Sequence, residues 1–168
     1  QSRHVIKPRS TKEVSKCLKL ASKYKIGVVP WSGGTGLVGG QISPDKYSVT
    51  LSLERMNNIK NFSSINQSVE VEAGVILETI HEFVDKRNFL YPLSMASKGT
   101  CCIGGNLATN AGGIGVLKYG NARDLCLGLE VVLADGSIIN DIKTLKKDNT
   151  GYDLKNLFIG SEGSLGII

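Results

Sequence analysis

Ten residues, Trp31-Ser32-Gly33-Gly34-Thr35-Gly36-Leu37-Val38-Gly39-Gly40, hold five glycines, a density that points to anion chemistry. A phosphate is held by several backbone N–H groups converging on it, and glycine permits both the close approach and the positive φ angles such a nest requires. Within the segment, Gly34-Thr35-Gly36-Leu37-Val38-Gly39 spells the dinucleotide fingerprint G-x-G-x-x-G, and Glu54 lies near the ~20-residue offset of a ribose-binding acid. A Rossmann loop runs straight into a helix whose N-terminus holds the pyrophosphate, whereas Gly39 is followed by Gly40, Gln41, Ile42, Ser43 and Pro44. Three readings stay open on these residues: an extended nest for a phosphate, a nicotinamide-type Rossmann turn, and a glycine loop with a purely structural role.

Side chains able to do acid–base or nucleophilic work are few. The histidines are His4 and His81, and His81 falls in a helical pattern where a surface or satisfied histidine is expected. The sequence holds no Ser/His/Asp set, H-E-x-x-H or spaced carboxylate pair. Cys17, Cys101, Cys102 and Cys126 form no C-x-x-C pair, and the adjacent Cys101-Cys102 suits neither a zinc site nor a disulfide framework. A reducing compartment is therefore expected, with packing roles for the cysteines and no metal site in this chain. Glu162, close to Gly160 and Gly163, reads as a carboxylate held for local hydrogen bonding or as an acid. So few reactive side chains among so many glycines fit a cofactor that brings its own reactivity.

The elements that must hold these residues follow from periodicity. Ser10-Thr11-Lys12-Glu13 has capping-box spacing and opens an amphipathic helix of about four turns. Ile26 to Val29 predicts a short buried strand stopped by Pro30; Tyr47 to Leu53 and Ser68 to Ala73 predict strands, and Ile76 to Arg87 a helix. A second glycine-rich tract covers residues 92–120, with one helical turn expected in its middle. Leu127 to Ala134 and Ser137 to Asn140 flank Asp135-Gly136, which predicts a hairpin closed by a two-residue turn. A short helix near Asp153 to Phe158 precedes a third glycine cluster at residues 160–166.

Composition bounds the rest. The 168 residues are 41% hydrophobic and 21% charged, with no internal repeat and no apolar run near the length of a membrane span. Glycine, 20 of 168 residues, is well above the usual ~7%. The net charge of +5 is unevenly spread: eight of the twenty basic residues precede residue 26, against Glu13 alone. Lys12, Lys16, Lys19 and Lys23 recur at helical spacing opposite Val14, Cys17, Leu18 and Ala21, which predicts a solvated helix face. A basic nucleic-acid-binding module is the other reading, and it lacks interleaved aromatics. The chain begins at Gln1 and stops in Leu165-Gly166-Ile167-Ile168 without a terminating signal, as expected of a piece of a longer protein.

Several long motifs in order carry a resemblance to a known family. These are Gly33 to Gly40, Ile103-Gly104-Gly105-Asn106-Leu107-Ala108-Thr109-Asn110-Ala111-Gly112-Gly113, Tyr119-Gly120, Gly128 to Gly136, Lys147 to Lys155 and Phe158 to Ile168. Together they resemble the FAD-linked family of the vanillyl-alcohol-oxidase (PCMH) type. The resemblance is strongest to its D-2-hydroxyacid dehydrogenase branch, whose members act on D-2-hydroxyglutarate or D-lactate; the glycolate oxidase FAD subunit and other oxidases of this type are the alternative.

That resemblance implies an α+β fold of two α+β subdomains with FAD between them, the first over about residues 1–60 and the second over about 61–168. Pro30, Ser32, Gly33, Gly34, Thr35, Gly36, Leu37, Val38, Gly39 and Gly40 would wrap the pyrophosphate. Pro92, Gly99, Thr100, Cys101, Cys102, Gly105 and Asn106 would follow the ribityl and ring, with Thr109, Asn110, Ala111, Gly112 and Gly113 closing on the cofactor. Glu162, Gly163, Leu165, Gly166 and Ile167 would return to the nucleotide half through backbone contacts. The reaction implied is hydride transfer from C2 of a small 2-hydroxyacid to flavin N5, with electron-transfer flavoprotein, cytochrome c or a quinone as acceptor. The base, the carboxylate clamp and a divalent metal such as zinc would lie in a C-terminal half outside this chain, and mitochondria would house an enzyme that forms a homodimer. Cys102 stands where hydroxyglutarate-type members often carry histidine, Ser32 where glycine is frequent, and Trp31 where Arg or Gln is frequent. With no histidine in either flavin tract, FAD is expected to be non-covalent.

Overall fold

The first helix shows how far local signals reach. The computed structural model describes Ser2 and residues 4–168, and α1 runs Thr11–Tyr24 with Ser10 as its N-cap. Ser10 Oγ accepts from the Glu13 N–H at 3.3 Å, but the Glu13 carboxylate takes the Arg9 N–H at 2.8 Å, one residue before the N-cap N–H that the capping box expects. Val14, Leu18 and Ala21 are buried, and Lys12, Lys16, Lys19 and Lys23 are all exposed, as a solvated face requires. Lys25 ends the helix in the left-handed region, φ 55°.

Strands β1 (His4–Ile6), β2 (Val28–Trp31) and β3 (Val49–Ser52) form a parallel sheet in the order β1-β3-β2. The predicted strand at Ile26 to Val29 is displaced, and Pro30 lies inside β2 instead of stopping it. The reason is topological. The carbonyls of Gly27 and Trp31 accept from Val49 at the start of β3 and from Leu53 just past its end, so the backbone of Pro30, one residue out of that alternation, faces the free edge, where a missing N–H costs no ladder bond.

The remaining chain adds two antiparallel pairs and short helices. Strand β4 (Ile59–Ser63), which sequence alternation did not reveal, pairs with β5 (Ser68–Val71). Helix α2 (Leu77–Asp85) buries Leu77, Ile80 and Val84. The second glycine tract holds two short helices where one turn was expected, α3 (Ile103–Ala108) and α4 (Val116–Tyr119), and a third, α5 (Ala122–Leu125), follows it. The predicted hairpin is present as β6 (Leu129–Val132) and β7 (Ile138–Asp141), followed by α6 (Lys155–Phe158).

The hairpin turn is one residue longer than predicted. Leu133 N–H donates to the Ser137 carbonyl and Gly136 N–H to the Leu133 carbonyl, each at 2.8 Å, so Ala134, Asp135 and Gly136 form a three-residue loop. Gly136, at φ 82°, supplies the left-handed residue that such a loop needs. The longer turn lets the tip dock on α1, where Ser15 Oγ donates to the Gly136 carbonyl at 2.5 Å.

Two apolar clusters organise the interior. One gathers Val14 and Leu18 of α1 with Leu51, Leu53 and Met56, and takes in Val132 and Ile167. The larger joins α2 and α3 to β6 through Leu77, Ile80, Ile103, Leu107, Leu129 and Val131. Each fully buried Leu, Ile or Val contributes about 1.5–3 kcal/mol relative to exposure. Strand β6 sends Leu129 and Val131 to one cluster and Val132 to the other, so the hairpin joins both. Among the described residues, no helix is long and apolar enough to cross a membrane.

Candidate functional site

Strands β2 and β3 are parallel neighbours, yet residues 32–48 between them contain no helix. The helix N-terminus that a nicotinamide Rossmann turn needs is therefore missing, and that reading is set aside. Residues 32–40 form an irregular loop with left-handed Gly34 (φ 66°) and Gly39 (φ 82°). It is braced mainly through its carbonyls: Gln41 Nε2 donates to the Gly36 carbonyl at 2.8 Å, and the Ile42 N–H to the Gly39 carbonyl at 2.9 Å. Among the described residues, none of the N–H groups of residues 32–40 donates to a protein acceptor. A run of free amides that includes two positive-φ glycines has the chemistry of an anion nest.

All three glycine tracts meet at this loop. Gly33 lies so close to the Thr100 carbonyl that any Cβ would overlap it, with Cys101 Cα 2.8 Å from the same point. A Cβ on Gly105 would stand 2.6 Å from Ser32 Oγ, and one on Gly163 would stand 2.7 Å from Pro30 Cγ. Gly40 faces the Glu162 carboxylate, whose Oε2 is 3.8 Å from where a Cβ would sit. Glu162 is itself held at φ 54° by its N–H bond to the Ala108 carbonyl, 2.8 Å.

Two cavities open near the loop, one against its first residues and one against Pro30, which leads into it. One, about 420 Å³, is lined by Ser32, Gly33, Glu54, Asn57, Gly74, Val75, Ile76, Thr79, Thr100 and Cys102. The other, about 340 Å³, lies between α1 and the third tract and is lined by Pro30, Gly163, Leu165, Gly166 and Ile167 together with Leu18, Ile26 and Val28. Asn57, Gly74, Val75, Ile76 and Thr79 were not legible as site residues in the sequence. Glu54 was noticed only through its offset from a Rossmann loop, and it reaches the cavity because β3 runs beside β2.

The other expected residues take different places. The Cys101 side chain packs into the larger apolar cluster, so only its backbone meets the loop. Asn106 is buried, with Oδ1 lacking any partner. Thr109 Oγ1 donates to the Gly105 carbonyl at 2.8 Å, and Asn110 Oδ1 accepts from the Arg123 N–H at 3.1 Å; both side chains are thus committed internally. Pro92, Gly99, Gly112 and Gly113 line neither cavity: Gly113 packs on the Ser94 carbonyl, Gly99 faces Glu78, and Gly112 is in ordinary contact with Val116. Thr35, Leu37 and Val38 stand on the loop, the latter two fully exposed.

The site is poor in acid–base machinery. The Glu54 carboxyl is held below its ordinary range by the Lys7 ammonium, 2.7 Å away, and by the Ser52 hydroxyl. Burial pushes the Cys102 thiol up, an effect the neighbouring Ser32 hydroxyl opposes in part, which makes a poor nucleophile. Ser32 Oγ is buried and makes no hydrogen bond of acceptable geometry. His81 Nε2 lies 2.8 Å from the Leu93 carbonyl, a structural role. No group of three His, Cys, Asp or Glu residues among the described ones could hold a metal.

A free-amide loop next to a cavity, with a buried unpartnered Ser32 hydroxyl lining it, fits a large phosphate-bearing cofactor with further hydrogen-bonding groups. Comparison with known proteins agrees. A family model described as "FAD binding domain" matches residues 2–141. A protein of Oryza sativa subsp. indica named probable D-2-hydroxyglutarate dehydrogenase, mitochondrial, is 49% identical over 99% of this chain and 30% of its own length. One of Schizosaccharomyces pombe, named putative D-lactate dehydrogenase, mitochondrial, is 45% identical over 97% of this chain and 31% of its own. The chain thus spans about a third of the length of the curated relatives it matches. The solved structure of an alkyldihydroxyacetonephosphate synthase superposes with TM-score 0.84 at 26% identity, covering 98% of this chain and 30% of that one. The vanillyl-alcohol-oxidase-type α+β architecture expected from the motifs is therefore the observed fold.

Proposed function

Given that this chain belongs to the FAD binding domain family, we propose that it is the cofactor domain of a flavin-dependent D-2-hydroxyacid dehydrogenase. The observation that carries the proposal is the unpaired set of N–H groups over residues 32–40 at the meeting point of three glycine tracts. Those amides would hold the pyrophosphate. Thr100, Cys102 and the Asn106 carbonyl would face the ribityl and ring side, and Gly163 to Ile167 the nucleotide side. Pro30 lines one cavity and Ser32 and Gly33 the other, which suits a ligand that crosses the loop between two subdomains divided near residue 60.

When bound, FAD supplies the hydride acceptor for oxidation of a 2-hydroxyacid to its 2-oxoacid. The chain itself contributes binding, orientation and exclusion of water, since none of its cavity-lining side chains forms an acid–base pair. Non-covalent attachment is supported by the absence of histidine from residues 30–40 and 92–113. D-2-hydroxyglutarate or D-lactate as substrate, and a mitochondrial site, are supported by the names of the relatives. The carboxylate clamp, the base, a divalent metal such as zinc and the contacts to an electron acceptor (electron-transfer flavoprotein, cytochrome c or a quinone) would belong to the parts of those relatives that this chain does not span.

Gly36→Asp tests the assignment. Its side chain meets only the movable end of Gln41, so folding should survive. A carboxylate facing the pyrophosphate is expected to weaken FAD binding by ~100-fold or more, about 2.7 kcal/mol. Flavin fluorescence titration of the deflavinated full-length protein measures this, and unchanged affinity would sink the loop assignment. Acid precipitation should release the yellow colour into the supernatant.

A further inference from the structure

The third glycine tract has to be held in place to reach the loop, and one cation does much of the holding. Arg123, in α5, sends its guanidinium across to the segment that leads into that tract. Its Nη1 donates to the Asn156 carbonyl and to Asn156 Oδ1, both at 2.9 Å, and its Nη2 to the Ile159 carbonyl at 2.5 Å. Its backbone N–H donates to Asn110 Oδ1 at 3.1 Å. Nη2 also lies 3.3 Å from where a Cβ on Gly160 would stand. Among the described residues, Arg123 has no carboxylate partner.

These contacts place Arg123 at a junction. Beyond Ile159, the Gly160 N–H bonds the Leu107 carbonyl at 3.0 Å and the Glu162 N–H bonds the Ala108 carbonyl at 2.8 Å. Those two bonds set Glu162 opposite Gly40 and Gly163 against Pro30. A planar fork that takes carbonyls from two separate residues fixes direction as well as distance, which a flexible ammonium cannot reproduce.

We propose that Arg123 is a positioning residue for the cofactor site: by holding Asn156 and Ile159 against Asn110, it sets the third tract on the pyrophosphate loop. This rests on the FAD reading above.

The test uses the full-length protein with Arg123→Ala and Arg123→Lys. Two readouts are taken: amide hydrogen exchange at Gly160 and Glu162 in the deflavinated protein, and FAD affinity by flavin fluorescence. In Arg123→Ala the two amides should exchange at least about tenfold faster and FAD should bind about tenfold more weakly. Millimolar guanidinium ion should restore most of both, which loss of general stability would not allow. Arg123→Lys should fall between wild type and Arg123→Ala, and it serves alone if the alanine protein does not fold. Unchanged exchange at Gly160 and Glu162, or a loss that guanidinium ion leaves untouched, overturns the role of Arg123. Faster exchange with wild-type FAD affinity also overturns it. Failure of the wild-type protein to bind FAD, with the exchange effect intact, overturns the FAD reading instead.

Discussion

The first and second glycine tracts look alike in the sequence, yet most of the second does the opposite of the first in the fold. Residues 32–40 leave their N–H groups free. In the second tract, between Thr100 and Ala111, the N–H groups of Thr100, Cys101, Ile103, Gly104, Asn106, Thr109, Asn110 and Ala111 all find carbonyl partners within the protein, while those of Gly112 and Gly113 at its end do not. Its glycines serve proximity: Gly104 lies against Ala73, and Gly105 against Ser32. Glycine richness thus has two physical consequences, donors left without protein partners and backbones brought into close contact.

If that contrast is right, substitutions in the two tracts should separate stability from cofactor affinity. The largest effect is expected for Gly104→Val, whose Cβ would stand 2.7 Å from Ala73 Cβ and 3.0 Å from the Ala73 carbonyl. Overpacking there should cost about 1–3 kcal/mol in chemical denaturation of the apoprotein, with FAD affinity falling as a consequence. A stable Gly104→Val protein would remove the distinction.

Gln41→Ala should show the reverse pattern. It deletes the side-chain bond to the Gly36 carbonyl at an intermediate surface position, so stability should stay within about 0.5 kcal/mol. The loosened loop should weaken FAD binding by several-fold, and equal affinity in the variant would mean that the amides are ordered without this brace.

A separate effect, seen only at alkaline pH, concerns the second half of the chain, away from the loop. Burial raises the Cys126 thiol from 9.0 to about 11 in the folded state. Its contribution to stability is therefore complete below about pH 9 and is lost as pH rises toward 11, because the unfolded chain ionises first. Cys126→Ala should flatten the fall of stability between those values by about 2 kcal/mol or less. A wild-type profile with the same slope as the variant would show that the thiol is not shielded.

What was legible in the sequence was local. The cap at Ser10, the amphipathic spacing of α1, the Asp135-Gly136 turn region and the glycine-rich composition of residues 32–40 each depend on neighbours within a few positions. The errors have equally definite causes. A proline after an apolar run reads as a strand terminator because nothing local says that β2 is an edge, and Asp135-Gly136 alone does not signal that Ala134 joins the turn. Strand β4 went unseen because Ile59-Lys60-Asn61-Phe62-Ser63 lacks strict alternation and is held by pairing with β5. The contact between Gly33 and Thr100, the commitment of Asn110 to Arg123, and the presence of Asn57 and Thr79 beside Ser32 all join residues far apart along the chain.

By itself, then, the order of residues determined the family, the α+β class and the chemical character of the site, because those properties are carried by short motifs and their backbone requirements. Only the tertiary structure decided which glycines present donors and which merely pack, that Cys101 belongs to the core while Cys102 faces a cavity, and that Arg123 stands between two tracts. Those outcomes depend on long-range packing, in which each atom's role is set by what the rest of the chain brings against it.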